Sequence, residues 1–278
     1  KIFGTKDEYK TDTAGVIDYD SNAYGVAYVH EGEALKMGNS SGWYAGAIKN
    51  KFDFNDIGGS KEEQSIVKAG AFKSMPIGKD YNNGLNWTIS AEGFMGNGET
   101  KRKFLVVDDI FDAKSDFHSF GFAVKNEIRK NIRTSERTSI SPYGSLKLEY
   151  GRFNGIKEDN GQMRLEVKAN DYYSVKPEIG VEFKYKKALG TRTTLIAKVG
   201  AAYENELGQV GNVNNKARVR YTSADYFNIK GEKDDRIGNG KLDFNFGIEN
   251  TRLGITVNAG YDTKGKNARG GIGLKAIY

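Results

Sequence analysis

Apolar and polar residues alternate one by one along much of this chain. In LDFNFGI at 242–248, leucine, phenylalanine and isoleucine are separated by aspartate, asparagine and glycine. The same period of two recurs at 179–185, 195–203 and 253–261. Because successive side chains of a β-strand point to opposite faces, each stretch predicts a strand with one apolar face and one polar or small face.

Extended along the chain, the alternation predicts twelve strands. Several of them exceed ten residues, whereas strands of soluble proteins usually have about 5–6. A tilted strand that crosses a membrane needs about 9–11 residues. The strand lengths therefore favour a membrane barrel over a soluble sandwich. The predicted spans are 1–11, 15–33, 42–55, 63–76, 84–101, 116–131, 138–153, 172–188, 191–206, 236–250, 252–263 and 267–278.

The connections between these strands alternate between short and long. Three of them, at 101–115, 154–171 and 207–235, are long, and the links between are short or of middling length. Outer-membrane barrels have short periplasmic turns and long extracellular loops, and an even strand count places both termini in the periplasm. The piece 216–230 inside the last long link is either an outward hairpin or a loop over the pore, and the alternation does not decide between them.

The composition agrees with an all-β membrane domain. The chain has 35 Gly, only 3 Pro and no Cys, as expected if most residues lie in strands, where proline removes a ladder hydrogen bond. No apolar run approaches the ~18–20 residues of a transmembrane helix. The net charge of +6 is spread along the chain without a basic run of five, which argues against nucleic-acid binding. We therefore predict a single domain, 1–278, folded as a 12-stranded antiparallel transmembrane β-barrel.

The last strand carries a candidate assembly signal. Counting back by twos from the terminal aromatic residue gives Tyr278, Ala276, Leu274 and Ile272. All four are expected to face lipid. A terminal aromatic residue after alternating apolar residues resembles the signal that the bacterial barrel-assembly machinery reads, and the edge of an unclosed barrel can be captured by strand addition. An ordinary final strand is the alternative.

The order of several segments resembles a known family. Residues 229–236, IKGEKDDR, lead into the strands 242–249 and 253–261, and YENEL at 203–207 precedes them. SISPYG at 139–144 and YSVKPEIG at 173–180 lie upstream. In order and spacing, rather than in any single motif, the chain resembles the translocator β-domain of type Va autotransporters.

This resemblance implies a function and a cellular location. The barrel would lie in the bacterial outer membrane as a monomer, inserted by the barrel-assembly machinery, and would anchor and export an N-terminal passenger to the cell surface by type V secretion. A linker helix would thread the pore. The chain begins at Lys1 with a predicted strand, so passenger and linker helix are expected to lie outside it.

The predicted inner face is rich in charge. One interpretation is a hydrated pore that holds the linker helix by ion pairs and passes a polypeptide. The other is that a small barrel fills its lumen with paired charges in any case. Both remain open. The predicted pore-lining residues are Lys147, Glu149, Glu182, Lys184, Lys198, Glu204, Asp243, Glu249, Arg269 and Lys275.

Other functions have weaker support. A free-standing porin or adhesin barrel would share the same strands, and a barrel lipase or protease could use His30, or His118 beside Asp112 and Asp116. The two histidines are far apart in sequence, and we predict no catalytic residue, metal site or cofactor.

Aromatic residues near strand ends are candidates for the girdles at the lipid interfaces, with scattered strand aromatics as the alternative. They are Trp43, Trp87, Tyr44, Tyr143, Tyr150 and Tyr203.

Overall fold

The fold is described from a computed structural model of the 278-residue chain. The structure describes residues 2–9, 19–33, 39–54, 61–78, 84–106, 109–154, 156–160, 165–167, 170–208, 214–219, 227–230, 238–263 and 267–276.

These residues contain seventeen strands and no helix. Their bounds are β1 (Ile2–Tyr9), β2 (Tyr19–Glu33), β3 (Ser40–Phe54), β4 (Lys61–Pro76), β5 (Leu85–Val106), β6 (Asp109–Lys130), β7 (Ile132–Arg133), β8 (Thr138–Phe153), β9 (Ile156–Asn160), β10 (Leu165–Val167), β11 (Asn170–Ala188), β12 (Thr194–Asn205), β13 (Asn214–Val219), β14 (Phe227–Lys230), β15 (Gly238–Glu249), β16 (Leu253–Asp262) and β17 (Asn267–Ala276). No described helix is long and apolar enough to cross a membrane.

Twelve of the strands form a closed ring, which confirms the predicted 12-stranded antiparallel barrel. Each pairs antiparallel with the next in the order β1, β2, β3, β4, β5, β6, β8, β11, β12, β15, β16 and β17. The ring closes where β17 pairs with β1, with Ile2 opposite Ile272 and Lys6 opposite Ala268. Closure matters because an open sheet would leave one row of backbone groups unpaired at each edge.

The register places the start of β1 and the end of β17 at the same end of the barrel. We call this the terminal end and the opposite one the loop end. The links at 131–137, 189–193 and 250–252 lie at the terminal end, whereas β8 and β12 end, and β11 and β15 begin, at the loop end. Within the first of these, β7 folds back onto β8.

The prediction of a long loop at 101–115 is wrong. The two strands β5 and β6 are 22 residues each and stay paired from Leu85 and Lys130 up to Val106 and Asp109. Residues 101–115 are rich in charge but contain neither glycine nor proline. Since nothing interrupts the ladder there, the hydrogen bonds continue past the barrel as a projecting hairpin.

The remaining long links also contain strands that extend the sheet at the loop end. Strand β9 pairs with β6 and β10, and β13 pairs with β10 and β14. The strand-like piece at 216–230 is thus divided between β13 and β14, which pair with each other as a hairpin. The described part of this link therefore contains a hairpin.

The barrel exposes its apolar face and buries its polar one. The side chains of Leu274, Met95 and Ile179 are 79%, 72% and 70% exposed. In the described part of the chain, Phe117 and Ala123 are the only buried hydrophobic residues. The buried polar residues there are Ser141, Ser174, Glu178, Asn239 and Asp262. This reverses the arrangement of a water-soluble protein and is typical of a membrane-embedded barrel.

The height of the apolar exterior fits this interpretation. On β16 the outward residues run from Leu253 to Tyr261, all at least 45% exposed where they are large and apolar. Eight residue steps span ~27 Å along a strand, and a tilt of ~40° reduces this to ~20 Å along the barrel axis. The apolar band of outer-membrane barrels is ~25 Å tall.

We predict that a charge on the outer face destabilises the barrel more than the same charge inside. Val257 lies midway along β16, is 51% exposed and is flanked by Phe246 and Ile272 on the neighbouring strands. V257R is expected to lower the free energy of unfolding from lipid by about 2–4 kcal/mol, because arginine at the bilayer midplane loses its hydration. Urea titration of the chain in liposomes measures this loss. The control, N258R, adds the same side chain to the adjacent inward position, and an equal loss in both variants would contradict the assigned faces.

Candidate functional site

The lumen of the barrel is the candidate site, and the ten residues predicted to line it lie on the face of the sheet opposite the exposed apolar residues. Each alternates in sequence with exposed apolar residues. Glu182, for example, lies between Val181 and Phe183, which are 42% and 44% exposed. The predicted set thus shares one face. The ten predicted residues do not pair with one another along a single strand, however; their ion pairs join different strands.

One cluster surrounds the ammonium group of Lys241 on β15. Its Nζ lies 2.9 Å from Glu204 Oε2 on β12 and 3.1 Å from Glu178 Oε1 on β11. The Glu178 carboxylate is 8% exposed and also accepts a 3.4 Å hydrogen bond from Ser145 Oγ on β8. Four neighbouring strands are therefore cross-linked on their inner side, with two carboxylates around one cation.

A second cluster surrounds Arg269 on β17. Its Nε and Nη2 each lie 2.9 Å from an oxygen of Asp262 on β16, and its Nη1 lies 2.9 Å from Asp243 on β15. The two-point contact with Asp262 is the fork geometry that makes arginine–carboxylate pairs strong and directional. It connects the last three strands close to the point of ring closure.

A third cluster joins strands that are not neighbours. The Tyr44 hydroxyl on β3 donates a 2.6 Å hydrogen bond to Glu92 on β5, and Lys147 Nζ on β8 lies 3.8 Å from the same carboxylate. Tyr44 reaches across β4 because Gly70 lies directly opposite it. A Cβ at Gly70 would lie 2.6 Å from the Tyr44 hydroxyl, so only glycine leaves room for this ring.

A fourth cluster is centred on Arg129 of β6. Its guanidinium lies 3.3 Å from Glu182 and 3.6 Å from Glu127, and it stacks 4.7 Å above the Tyr143 ring. The Tyr143 ring in turn covers Gly180, where a Cβ would lie 2.6 Å from it. A cation held between carboxylates and an aromatic face has little freedom to move.

Three predicted lysines differ in their surroundings. Lys275 lies 3.6 Å from Glu249. Lys184 and Lys198, in contrast, lie directly opposite each other on β11 and β12. No described carboxylate lies within 4.0 Å of either ammonium group. The last predicted acid, Glu149, faces inward opposite Ser174.

Sequence reasoning missed several residues that hold these clusters together. The missed set is Tyr44, Glu92, Glu127, Arg129, Tyr143, Glu178, Lys241 and Asp262. Part of the set could have been predicted, because Glu178 lies four residues before Glu182 and Lys241 lies two residues before Asp243, an even spacing that keeps each pair on one face. The sequence does not predict which carboxylate pairs with which cation, because the pairing depends on the register between strands.

Two of the six aromatic residues predicted to form the lipid-facing girdles lie on the opposite, inner face of the barrel. Tyr44 and Tyr143 point into the lumen, as their contacts with Glu92 and Arg129 show. Trp43 and Tyr203 are 49% and 51% exposed on the outer face. The Tyr150 ring packs on the same outer face, with its centroid 5.7 Å from that of Phe122. Trp87 Nε1 donates a 3.3 Å hydrogen bond to Asn126 Oδ1. Inward aromatics follow the same alternation as outward ones, so residue type alone does not separate them.

The two histidines also lie on the outer face. The ring of His30 lies 5.9 Å from that of Trp43, and His118 Nδ1 lies 2.6 Å from Asn97 Oδ1. Asp116 lies on β6 near His118, and the side chain of Asp112 is outside the described set. In the described ranges, no group of three or more His, Asp or Glu is placed to hold a metal ion.

The residues of the candidate assembly signal lie on β17 as far as the structure describes them. Ile272, Leu274 and Ala276 are exposed on the outer face, and Tyr278 lies outside the described residues. Strand β17 is paired with β16 as far as Ala276, whereas its last residue paired with β1 is Ile272.

Comparison with known proteins identifies the same architecture. The model of the autotransporter beta-domain family matches residues 1–260. The translocator domain of the autotransporter NalP from Neisseria meningitidis is similar in structure, with a TM-score of 0.70 at 10% identity, covering 100% of this chain and 87% of that one. The beta domain of the Bordetella autotransporter BrkA gives a TM-score of 0.66 at 12% identity, covering 100% and 98%. The transport unit of AIDA-I from Escherichia coli gives 0.63 at 12% identity, covering 100% and 89%. No curated protein matches the chain in sequence.

We predict that the Lys241 cluster stabilises the barrel more than a pair on its outside. K241M leaves Glu178 and Glu204 without their cation and is expected to cost about 1–3 kcal/mol of unfolding free energy. In the matched control, K61M removes an exposed partner of Asp53, 3.9 Å away, and should cost less than about 1 kcal/mol. Adding E178Q to K241M should recover part of the loss in a double-mutant cycle. Equal costs for K241M and K61M in urea titrations would contradict a stabilising cluster in the lumen.

Proposed function

The chain belongs to the autotransporter beta-domain family, and from this we propose that it is the outer-membrane translocator that anchors an N-terminal passenger and exports it to the cell surface. The barrel is the part of such a protein that remains in the membrane. Export needs a passage that is polar inside and a wall that is stable in lipid, and the chain has both.

The observation that carries the proposal is the distribution of charge and apolar surface across the wall. Outward residues such as Ile255 and Leu274 are 56% and 79% exposed, while carboxylates and cations such as Glu178 and Arg269 line the interior. A wall of this kind separates water from hydrocarbon within a single layer of backbone. The proposed partners are accordingly outer-membrane lipid on the outside and a polypeptide on the inside, with the barrel acting as a monomer.

We further propose that the terminal end faces the periplasm and the loop end faces the outside. The links at 131–137, 189–193 and 250–252 are short, whereas the loop end carries the projecting hairpin of β5 and β6 and the strands β9, β10, β13 and β14. Short turns face the periplasm in this class of barrel. A passenger joined before β1 would then enter the lumen from its periplasmic mouth, followed by a linker helix that occupies the pore.

A transport role without catalysis is also part of the proposal. The two histidines face outward and are separate from each other, with Trp43 and Asn97 as their neighbours. A nucleophile–base–acid constellation needs these groups to converge.

Surface display tests the translocator function. We expect a tagged passenger fused before residue 1, behind a signal peptide, to become sensitive to protease added to intact cells, while a periplasmic reporter stays protected. The double variant H30A/H118A is the control and should export equally, with no loss of any hydrolytic activity. If the barrel reaches the outer membrane, as judged by heat-modifiable gel mobility, but the passenger stays protected, the chain is a free-standing porin and the proposal fails.

A second test concerns assembly. L274D on the last strand is expected to reduce the assembled fraction in cells several-fold more than L253D, its control on β16. Both residues are outward, apolar and near the terminal end, at 79% and 62% exposure, so the cost of the charge in lipid is similar. Only Leu274 lies on the proposed signal strand. Refolding of the purified variants into liposomes, without assembly machinery, should be impaired equally, and an equal defect in cells as well would eliminate the signal.

A further inference from the structure

Three lysines form a cationic patch on the inner wall near the terminal end, and no carboxylate among the described residues pairs with them closely. Lys184 and Lys186 lie two residues apart on the inner face of β11, and Lys198 lies opposite Lys184 on β12. All three line one cleft of about 320 Å³. We call this set the lysine cleft.

The lysine cleft is electrostatically unfavourable in the barrel by itself. Like charges directly opposite on an antiparallel pair destabilise the sheet. The nearest carboxylates have other partners: Glu182 lies 3.3 Å from Arg129, and Glu249 lies 3.6 Å from Lys275. Among the described residues no carboxylate comes within 4.0 Å of the three ammonium groups. A fold that keeps such a patch gains stability if an anion binds there.

A second row of lysines in the same lumen shows the contrast. Lys125, Lys147 and Lys176 also lie opposite one another, on β6, β8 and β11. There, Lys147 lies 3.8 Å from Glu92 and Lys176 lies 3.9 Å from Glu206. Among the described residues, two lysines of this row therefore have a carboxylate within 4.0 Å, whereas the three lysines of the cleft have none.

The wall that faces the lysine cleft leaves room for an occupant. Its lining on β15 and β16 includes the small residues Gly247, Gly254 and Thr256. Glu249 and Lys275 also line the cleft, and they pair with each other at 3.6 Å. The cleft lies beside the links 189–193 and 250–252, at the terminal end. A segment that enters or leaves the pore at that end passes the three ammonium groups.

From this geometry we infer that the lysine cleft is a docking site for the carboxylates of an acidic polypeptide segment held in the lumen. The inference rests on the proposed translocator function and specifies the charge of the segment in the pore and the wall that holds it. The spacing supports a polypeptide: Lys184 and Lys186 are ~7 Å apart along the strand and Lys198 is ~5 Å across. Acidic residues three or four apart on a helix have a similar separation of ~5–6 Å.

Single-channel recording tests the inference. The purified chain is inserted in a planar bilayer, and a 20-residue helical peptide of Glu and Ala, or one of Lys and Ala, is added on both sides. We expect the acidic peptide to block the current and the basic peptide not to block it. In K184Q/K186Q/K198Q the residence time of the acidic peptide should fall at least ten-fold. The matched control K49Q/K61Q/K101Q removes the same charge from lysines that pair with carboxylates on the outer face, and it should retain the block.

Each possible result either supports or overturns the inference. Equal block by both peptides, or an unchanged residence time in the lumen variant, overturns the inference. A change in chloride selectivity without a change in peptide block assigns the patch to small anions and overturns it as well. If the triple variant does not fold, K184Q and K198Q singly replace it. Passenger display is measured in parallel: export together with a failed peptide test removes only this inference, whereas loss of export in the unmodified chain removes the translocator function.

Discussion

The structure depends on one constraint: each backbone amide and carbonyl of a membrane wall needs a partner within the wall. An unpaired backbone group in hydrocarbon costs several kcal/mol, and a sheet satisfies this only by returning to its first strand. The pairing of β17 with β1 meets the requirement. Ring closure then divides space into an inside and an outside, and alternation along every strand assigns each side chain to one of them. The apolar exterior and the charged lumen are both consequences of that division.

Because side-chain orientation follows from alternation alone, the sequence was sufficient for most of the wall. All twelve barrel strands were predicted within a few residues, except where β5 and β6 continue to Val106 and Asp109. That extension escaped prediction because charged residues beyond the membrane are as compatible with a strand as with a loop. The piece at 216–230 shows the same limit, since strand propensity alone does not say whether a segment joins a sheet.

The lumen was less predictable than the wall. Its ten charges follow from the period of two, but their partners depend on how far adjacent strands are offset. Lys241 meets Glu178 and Glu204 from β11 and β12, sixty-three and thirty-seven residues earlier. No local pattern contains that offset. Aromatic residues raise a related difficulty, because the Tyr44 ring requires glycine at position 70 on the next strand, a pairing that is visible only once the register is known.

The alternation that builds the wall has a further consequence for how the affinity of the chain for lipid arises. The hydropathy values of neighbouring apolar and polar residues offset one another, and the mean hydropathy of the chain is −0.62. No stretch of the sequence approaches the run of about 20 apolar residues that a transmembrane helix needs. The affinity for lipid exists only after the strands have paired and sorted their side chains. The apolar outer surface is therefore a product of folding and not a property of any single segment of the sequence.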